Sequence, residues 1–313
     1  MSIGQQGMQL SRVQWLGYVV LCVIWGSTWL AIRFAVHDIP PLEAAAIRFL
    51  AAGLLLLCLA WLQKRKWPRG QDQWNAVLVL SLTIMAVPYG LLFWAEQHVS
   101  SSMTAVLFSA MPLAVSLLTP TMMHRKVPRQ AVFAMLIGFG GLLSLFYTGD
   151  LSTSRRSLIG GVAVLVSMAL SAWSVVYAKL RLREVDSVIA TGLQLLFGSV
   201  VLFWGTWALE AHRHAVWTRA ALLAMAFLTI FGSAAAFVIY YWLLKKIQPY
   251  QLSTISLIVP LIAIMEGLLA GETIHLMMLI AVIVVLGSVR SVLRAEAEKP
   301  VEGDLLMIRD KAQ

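Results

Sequence analysis

The spacing of charged residues constrains this chain most, because it leaves ten long stretches without Asp, Glu, Lys or Arg. Eight stretches have at least 19 residues, and a helix needs roughly 20 apolar residues to cross a bilayer core of ~30 Å. The other two reach that length if Arg48 and Arg290 lie within helices. The stretches cover residues 13–32, 49–63, 73–95, 97–124, 130–149, 157–178, 187–209, 220–244, 247–265 and 273–289.

The apolar stretches predict helices rather than the strands of a membrane barrel. They are continuously apolar, whereas barrel strands alternate apolar and polar residues. Over the 313 residues, 60% are apolar and 12% charged, against about 25% charged in soluble domains. We therefore predict an all-α integral membrane protein with ten transmembrane helices in a lipid bilayer. Since no nucleophile elbow, zinc-protease helix or phosphate loop is present, we expect no enzymatic activity, no metal and no cofactor.

The basic residues predict how the chain is inserted. Numbering the loops alternately from a cytoplasmic N-terminus places 18 of the 24 basic residues on the inner side and four on the outer side. Because an inner excess of Lys and Arg sets topology, both termini are predicted to be cytoplasmic, in a bacterial inner membrane. This distribution also accounts for the net charge of +9, so no nucleic-acid partner is expected.

A weak internal repeat appears when the chain is compared with itself at an offset of 148 residues. Trp25 then aligns with Trp173, and Pro112 aligns with Pro260. The repeat contains five predicted spans, and because five is odd, equivalent spans run in opposite directions. We therefore predict two inverted five-helix repeats. Their expected limits are 13–149 for the first repeat (spans 1–5), 157–293 for the second (spans 6–10) and 294–313 for a cytoplasmic tail.

Inverted repeats are typical of secondary transporters, in which two oppositely inserted halves open a central site to each side of the membrane in turn. The repeat therefore predicts a small-molecule cavity near the bilayer midplane. Aromatic residues, serines near the two prolines and the prolines themselves are its candidate lining, although packing, interfacial anchoring and helix kinking also explain them. The candidates are Trp25, Trp29, Tyr89, Phe93, Ser109, Pro112, Trp173, Tyr177, Phe237, Tyr241, Ser256 and Pro260.

Charged residues at depth in a bilayer are candidates for a gate or for coupling, because they are costly unless paired or hydrated. Arg48 and Glu266 lie within predicted spans, and Glu43 and Glu96 lie near outer span ends. We expect Arg48 to pair with Glu266, or with Glu43, in an outer gate. Glu266 is also a candidate carrier of a coupling proton, and a static ion pair is the alternative.

Several short motifs give the chain a specific resemblance. The first half contains WGSTWLAIRF at 25–34 and PPLEAAAIRFLA at 40–51, and the second contains SLIVPLIA at 256–263. In order, spacing and duplication these motifs resemble the EamA family of the drug/metabolite transporter superfamily. The resemblance implies ten helices in two inverted repeats and ATP-independent export or exchange of small metabolites, commonly amino acids and related compounds.

Two alternatives to an exporter of small organic metabolites remain open. A nucleotide-sugar or phosphorylated-metabolite exchanger of the same superfamily needs basic residues in the cavity, and Arg33 and Arg48 both lie near span ends. A non-transporting membrane component is the second alternative, and the inverted repeat argues against it. The oligomeric state is left open. Glu210, His212 and His214 form an E-x-H-x-H sequence that we interpret as a solvated outer loop.

Overall fold

The computed structural model describes residues 10–99, 101–146, 155–269 and 276–295, and these residues form helices without any strand. Two of the helical segments have the wider turns of a π-helix. The elements follow in the order α1 (Arg12–Asp38), α2 (Pro41–Leu62), α3 (Gln71–Leu80), π1 (Ser81–Ala86), α4 (Val87–Ala95), α5 (Ser101–Phe108), α6 (Met111–Met123), α7 (Arg129–Phe146), α8 (Arg155–Arg181), α9 (Ser187–Leu209), α10 (Arg219–Phe227), π2 (Leu228–Ala235), α11 (Ala236–Lys246), α12 (Pro249–Ser253), α13 (Ile255–Leu269) and α14 (Leu276–Arg294).

Seven helical stretches in the described part of the chain are long and apolar enough to cross a membrane. They are Arg12–Asp38, Pro41–Leu62, Gln71–Ala95, Met103–Met123, Arg155–Arg181, Ser187–Leu209 and Arg219–Lys246. Two shorter apolar helical stretches, Arg129–Ser144 and Pro249–Ile262, accompany them. In lipid, a helix satisfies its backbone hydrogen bonds internally, which explains why continuous apolar runs fold in this way. The prediction of an all-α membrane protein is confirmed.

The ends of the helices are defined by capping groups. Ser11 and Gln14 form a capping box at the start of α1. The Asp186 carboxylate accepts hydrogen bonds from the backbone N–H groups of Val188 and Ile189 at the start of α9. Such caps satisfy N–H groups that have no partner within the helix. They fix where α1 and α9 begin.

Glu210 corrects the interpretation of the E-x-H-x-H sequence as a solvated loop. The Glu210 side chain is only 7% exposed, and its carboxylate accepts hydrogen bonds of 3.1–3.2 Å from the backbone N–H groups of Leu42 and Glu43 at the start of α2. A carboxylate at a helix N-terminus also interacts favourably with the helix dipole. His212 and His214 are exposed. The loop is therefore anchored to α2 through one of its three polar side chains.

Several of the apolar stretches contain irregular turns. In π1 and π2 the following residue donates to the carbonyl five positions earlier, Val87 to Leu82 and Ala236 to Phe231. Another stretch is interrupted at residues 109–110, between α5 and α6, and Pro112 lies in the first turn of α6. Residue 254 separates α12 from α13. Pro260 lies inside α13.

The helices pack most closely in the pairs α2 with α9, α7 with α14 and α1 with α13, and α8 packs against both α4 and α6. Glycines allow the closest approaches. A Cβ atom built at Gly53 on α2 would lie 2.9 Å from the backbone nitrogen of Leu196 and 3.0 Å from the carbonyl oxygen of Gly192 on α9. Small residues let helix backbones approach where lipid offers no hydrophobic driving force. The α2–α9 pair is built on this contact.

Candidate functional site

A cavity of about 110 Å³ lies between helices from the two halves of the chain. Residues of α1, α2, α4, α5 and α6 line it from the first half of the chain, and residues of α8, α11, α12 and α13 line it from the second. Its volume is below the ~300–1,000 Å³ of pockets for drug-sized ligands. The cavity therefore suits a small metabolite.

Aromatic rings form much of the cavity wall. The Trp25 ring lies 5.2 Å from the Tyr240 ring and 5.6 Å from the Phe237 ring, measured between centroids. Tyr89 lies 6.0 Å from Phe237 in an edge-on arrangement. These distances are typical of favourable aromatic pairs. The wall therefore joins α1, α4 and α11 into one apolar surface.

Arg48 brings a positive charge to this largely apolar cavity. Its side chain is 1% exposed, and its Nε donates a 3.1 Å hydrogen bond to the Oγ of Ser233 on π2. The guanidinium carbon lies 4.9 Å from the ring centroid of Phe49, 5.4 Å from that of Tyr89 and 5.5 Å from that of Phe93. No ion pair reaches Arg48 among the described side chains, and its Nη1 has no hydrogen-bond partner there.

The cavity contains two further buried donors without partners among the described residues, in contrast to the hydroxyl groups of Thr28 and Ser256. The Nε1 of Trp25 and the hydroxyl of Tyr240 make no hydrogen bond within the described residues. Thr28 donates to the carbonyl of Trp25, and the Ser256 hydroxyl donates to the carbonyl of Ser253. The hydroxyls of these two side chains are thus satisfied locally, while the Trp and Tyr donors remain available.

Five of the residues predicted to line the cavity do so in the structure, and Arg48 joins them. The five are Trp25, Trp29, Tyr89, Phe237 and Ser256. Arg48, predicted as a gate or coupling residue, lies in α2 on the cavity wall. The structure gives these residues a common location, and their role in binding a substrate stays a prediction.

The other candidate lining residues lie elsewhere in the structure. Phe93 lies beneath the Arg48 guanidinium, and the buried Ser109 donates to the carbonyl of Val106. Trp173 and Tyr177 stack on each other with centroids 4.8 Å apart. The remaining three, which also do not line the central cavity, are Pro112, Tyr241 and Pro260.

The proposed outer gate is not assembled as expected from its described members. Glu43 makes no ion pair with Arg48. These residues are five positions apart on α2, and residues three or four apart face each other on a helix, so the two point in different directions. Glu96 follows the end of α4 and is half-buried. The side chain of Glu266 lies outside the described residues.

Sequence interpretation missed several polar residues of the site. Thr28, Ser167, Ser171 and Ser253 line the cavity, and Ser233 binds Arg48. Ser167, Ser171 and Ser233 lie in runs of small residues, which are also typical of helix packing. Tyr240 was also missed. Tyr240 is related by the internal repeat to Leu92, which lies 148 positions earlier and also lines the cavity.

A second cavity of about 310 Å³ is lined by basic side chains, among them Arg125, Lys179, Arg183 and Lys245. The Lys179 ammonium donates hydrogen bonds of 2.5 and 2.8 Å to the carbonyls of Leu244 and Ile247 at the end of α11. The Lys245 ammonium donates to the carbonyl of Val185. Cations at a helix C-terminus satisfy its free carbonyls. Lys179 therefore caps the end of α11, and Lys245 connects α11 to the segment between α8 and α9.

The described residues contain no group of three or more His, Cys, Asp or Glu side chains that is able to hold a metal ion. The described lining of the central cavity includes neither Asp nor Glu. Its chemistry therefore consists of aromatic surface, hydrogen-bond donors and one guanidinium group.

Comparison with known proteins gives matches along most of the chain. The sequence profile of the EamA-like transporter family matches residues 14–147 and again residues 158–294. The uncharacterized inner membrane transporter YedA of Escherichia coli is 31% identical over 255 residues, which cover 81% of each chain. The uncharacterized transporter YoaV of Bacillus subtilis is 29% identical over 80% of this chain and 86% of its own.

A further relative is Protein PagO of Salmonella typhimurium, which is 28% identical over 86% of this chain and 89% of its own. A solved crystal structure with 17% sequence identity is similar with a TM-score of 0.75, covering 89% of this chain and 96% of that one. At this identity the likeness shows a shared fold alone.

Proposed function

The chain belongs to the EamA-like transporter family, and from this premise we propose that it is a secondary active transporter of small organic metabolites. Amino acids and related compounds are the proposed substrates, and export by alternating access is the proposed mode. The proposed location is a bacterial inner membrane, in line with the inner-membrane description of its relative YedA. Transport of this kind forms no covalent intermediate, so the chain needs no catalytic residue.

The proposed architecture is ten transmembrane helices in two inverted repeats, residues 13–149 and 157–293, with both termini and the tail 294–313 in the cytoplasm. Besides the seven long apolar stretches, α7, the pair α12–α13 and α14 supply the other three spans. The packing supports this arrangement. Under the offset of 148 residues, α1 corresponds to α8 and α13 to α6, so the packed pair α1–α13 is equivalent to the packed pair α8–α6. The pairs α2–α9 and α7–α14 each join two equivalent helices.

The observation that carries the proposal is that the cavity lining follows the internal repeat. Five pairs of described lining residues are separated by the repeat distance of 148 positions. They are Tyr89 and Phe237, Leu92 and Tyr240, Ala105 and Ser253, Phe108 and Ser256, and Met111 and Val259. A cavity built from equivalent faces of two halves is the expected position of the substrate site in an inverted-repeat transporter.

The proposed mechanism uses the irregular turns beside the cavity. π1 and π2 also correspond under the offset of 148 residues, and wide turns of this kind occur frequently at functional sites. Pro112 and Pro260 are proposed hinges, because proline removes a backbone donor and weakens the helix around it. Bending at these positions moves α6 and α13 relative to the rest of each half. Glu266 is the proposed carrier of a coupling proton.

Transport into proteoliposomes tests this function. The purified protein is reconstituted and supplied with labelled amino acids, carboxylic acids, amides, amines and sugars, and at least one solute is expected to enter faster than in protein-free vesicles. Ala105→Trp fills the cavity and is expected to abolish this uptake. Leu117→Trp introduces the same side chain at a position that is 79% exposed and is expected to leave uptake unchanged. No uptake of any solute by folded protein would contradict the proposal.

A further inference from the structure

The central cavity contains a positive charge for which the described residues around it supply no counter-charge. Arg48 is buried, and neither Asp nor Glu is present among the described residues that line the cavity with it. Its hydrogen bond to Ser233 and the three surrounding aromatic rings compensate the charge in part, because ring faces attract cations. A guanidinium group is most stable against a planar anion that accepts two parallel hydrogen bonds. Nη1, which has no partner among the described residues, is a donor for such an anion.

The other vacant groups in the cavity point to the same ligand chemistry. Trp25 Nε1 is a donor only, and the Tyr240 hydroxyl donates or accepts. Both line the cavity and both lack partners among the described residues. Buried donors without partners are unfavourable, so a ligand that supplies acceptor oxygens stabilises them. The Trp25, Tyr89 and Phe237 rings beside them offer an apolar surface to the rest of that ligand.

We infer that the substrate of this transporter is a small organic monocarboxylate with an apolar or aromatic body, and that Arg48 binds its carboxylate. This inference rests on the transport function proposed above, and it narrows the substrates of the same cavity from amino acids and related compounds to related carboxylic acids without an amine. Trp25 and Tyr240 orient the bound molecule by hydrogen bonding and by ring contact. The ligand's negative charge pairs with Arg48, so an occupied cavity contains an ion pair in place of a charge that has no counter-charge among the described residues.

The composition of the cavity separates a monocarboxylate from related anions and zwitterions. A phosphate ester or diphosphate carries at least one further charge at neutral pH, and Arg48 is the one cation among the described lining residues. An amino acid also carries an ammonium group, for which the described lining offers no carboxylate. A carboxylic acid without an amine therefore matches the cavity better than the amino acid of the same shape.

Matched probes test the inference by binding to the purified protein in detergent, monitored by tryptophan fluorescence. The probes are 3-phenylpropionate, its primary amide, phenylalanine and phenyl phosphate. Charge-assisted hydrogen bonds make the carboxylate bind about 10-fold or more tighter than the amide. Arg48→Gln is expected to abolish this difference. Arg48→Lys keeps the positive charge but loses the planar guanidinium with its parallel donors. We expect this variant to retain part of the difference in affinity between carboxylate and amide.

Two conservative variants keep the test valid if an Arg48 variant fails to fold. Tyr240→Phe and Trp25→Phe remove one donor each and keep an aromatic ring, so we expect weaker carboxylate binding with little change for the amide. Tyr250→Phe is the control, because its hydroxyl is also buried without a partner but does not line the cavity. Weaker carboxylate binding in all three variants would indicate a general loss of fold and contradict the inference.

The binding and transport results together separate this inference from the proposed function. Uptake of an amine, amide or sugar into proteoliposomes, with neither binding nor uptake of any carboxylate, would overturn the monocarboxylate class and leave transport intact. Tight binding of phenyl phosphate that depends on Arg48, with no binding of 3-phenylpropionate, would also overturn it. Carboxylate binding that depends on Arg48, without uptake of any solute, would instead contradict the transport function.

Discussion

Ser233 is the residue that fixes the position of Arg48, because its hydroxyl accepts the hydrogen bond from Nε. Ser233→Ala leaves a charged donor buried and unsatisfied, which costs about 1–3 kcal/mol. We therefore expect a lower midpoint of thermal unfolding in detergent, together with weaker carboxylate binding. Ser144→Ala is the control, since the exposed Ser144 hydroxyl donates to its own helix at Gly141. Equal unfolding midpoints for the two variants would contradict this role of Ser233.

At the scale of single residues, the sequence identified Arg48 as exceptional but not its surroundings. A charge among apolar residues is visible in any sequence, because its position in a bilayer is costly. Its partner Ser233 is 185 positions away and lies next to Gly232 in a run of small residues that is equally typical of helix packing. Which of these small residues faces a charge depends on the turns of π2, and that information is tertiary.

Glycine contacts decide how closely α2 and α9 pack, and this gives a prediction at the scale of elements. In an exposed helix Gly→Ala is favourable by about 1 kcal/mol, but at Gly53 the added methyl group meets backbone atoms of α9 at 2.9–3.0 Å. Backbone atoms cannot rotate away, so we expect Gly53→Ala to lower the unfolding midpoint. Gly140→Ala on α7 is the matched control, because a Cβ atom there meets nothing within 4 Å. A midpoint for Gly53→Ala at or above that of Gly140→Ala would contradict the prediction.

The positions of the helices were predictable because the bilayer imposes one solution on a continuous apolar run. Their irregular turns were less predictable. Pro88 lies in the first turn of α4, and its missing N–H removes the α-helical donor to the carbonyl of Ile84 in π1. π2 contains no proline, and no residue within it explains its wide turns. Its correspondence with π1 under the repeat offset indicates an inherited backbone shape.

At the scale of the whole molecule, two related halves predict a second conformation. The contact between α1 and α13 is close in this structure, where a Cβ atom built at Gly26 would lie 2.5 Å from the Cβ of Ile262. Under the offset of 148 residues, Gly26 corresponds to Ser174 on α8, and Ile262 corresponds to Ala114 on α6. If transport exchanges the conformations of the two halves, the contact at Gly26 loosens as the contact at Ser174 tightens.

Paired cysteines test this exchange after Cys22 and Cys58, the two native cysteines, are replaced by alanine. The Cβ positions of Gly26 and Ile262 lie 2.5 Å apart here, so Gly26→Cys with Ile262→Cys is expected to form a disulfide after a shift of about 1 Å that keeps α1 against α13. Ala114→Cys with Ser174→Cys is expected to trap the opposite conformation, because each disulfide needs Cβ atoms about 3.5–4.5 Å apart. Each oxidised pair should stop uptake into proteoliposomes, and reduction should restore it. If the two halves exchange conformations, substrate should change the rates at which the two disulfides form in opposite directions. Full transport by either oxidised protein would show that the halves do not exchange in this way.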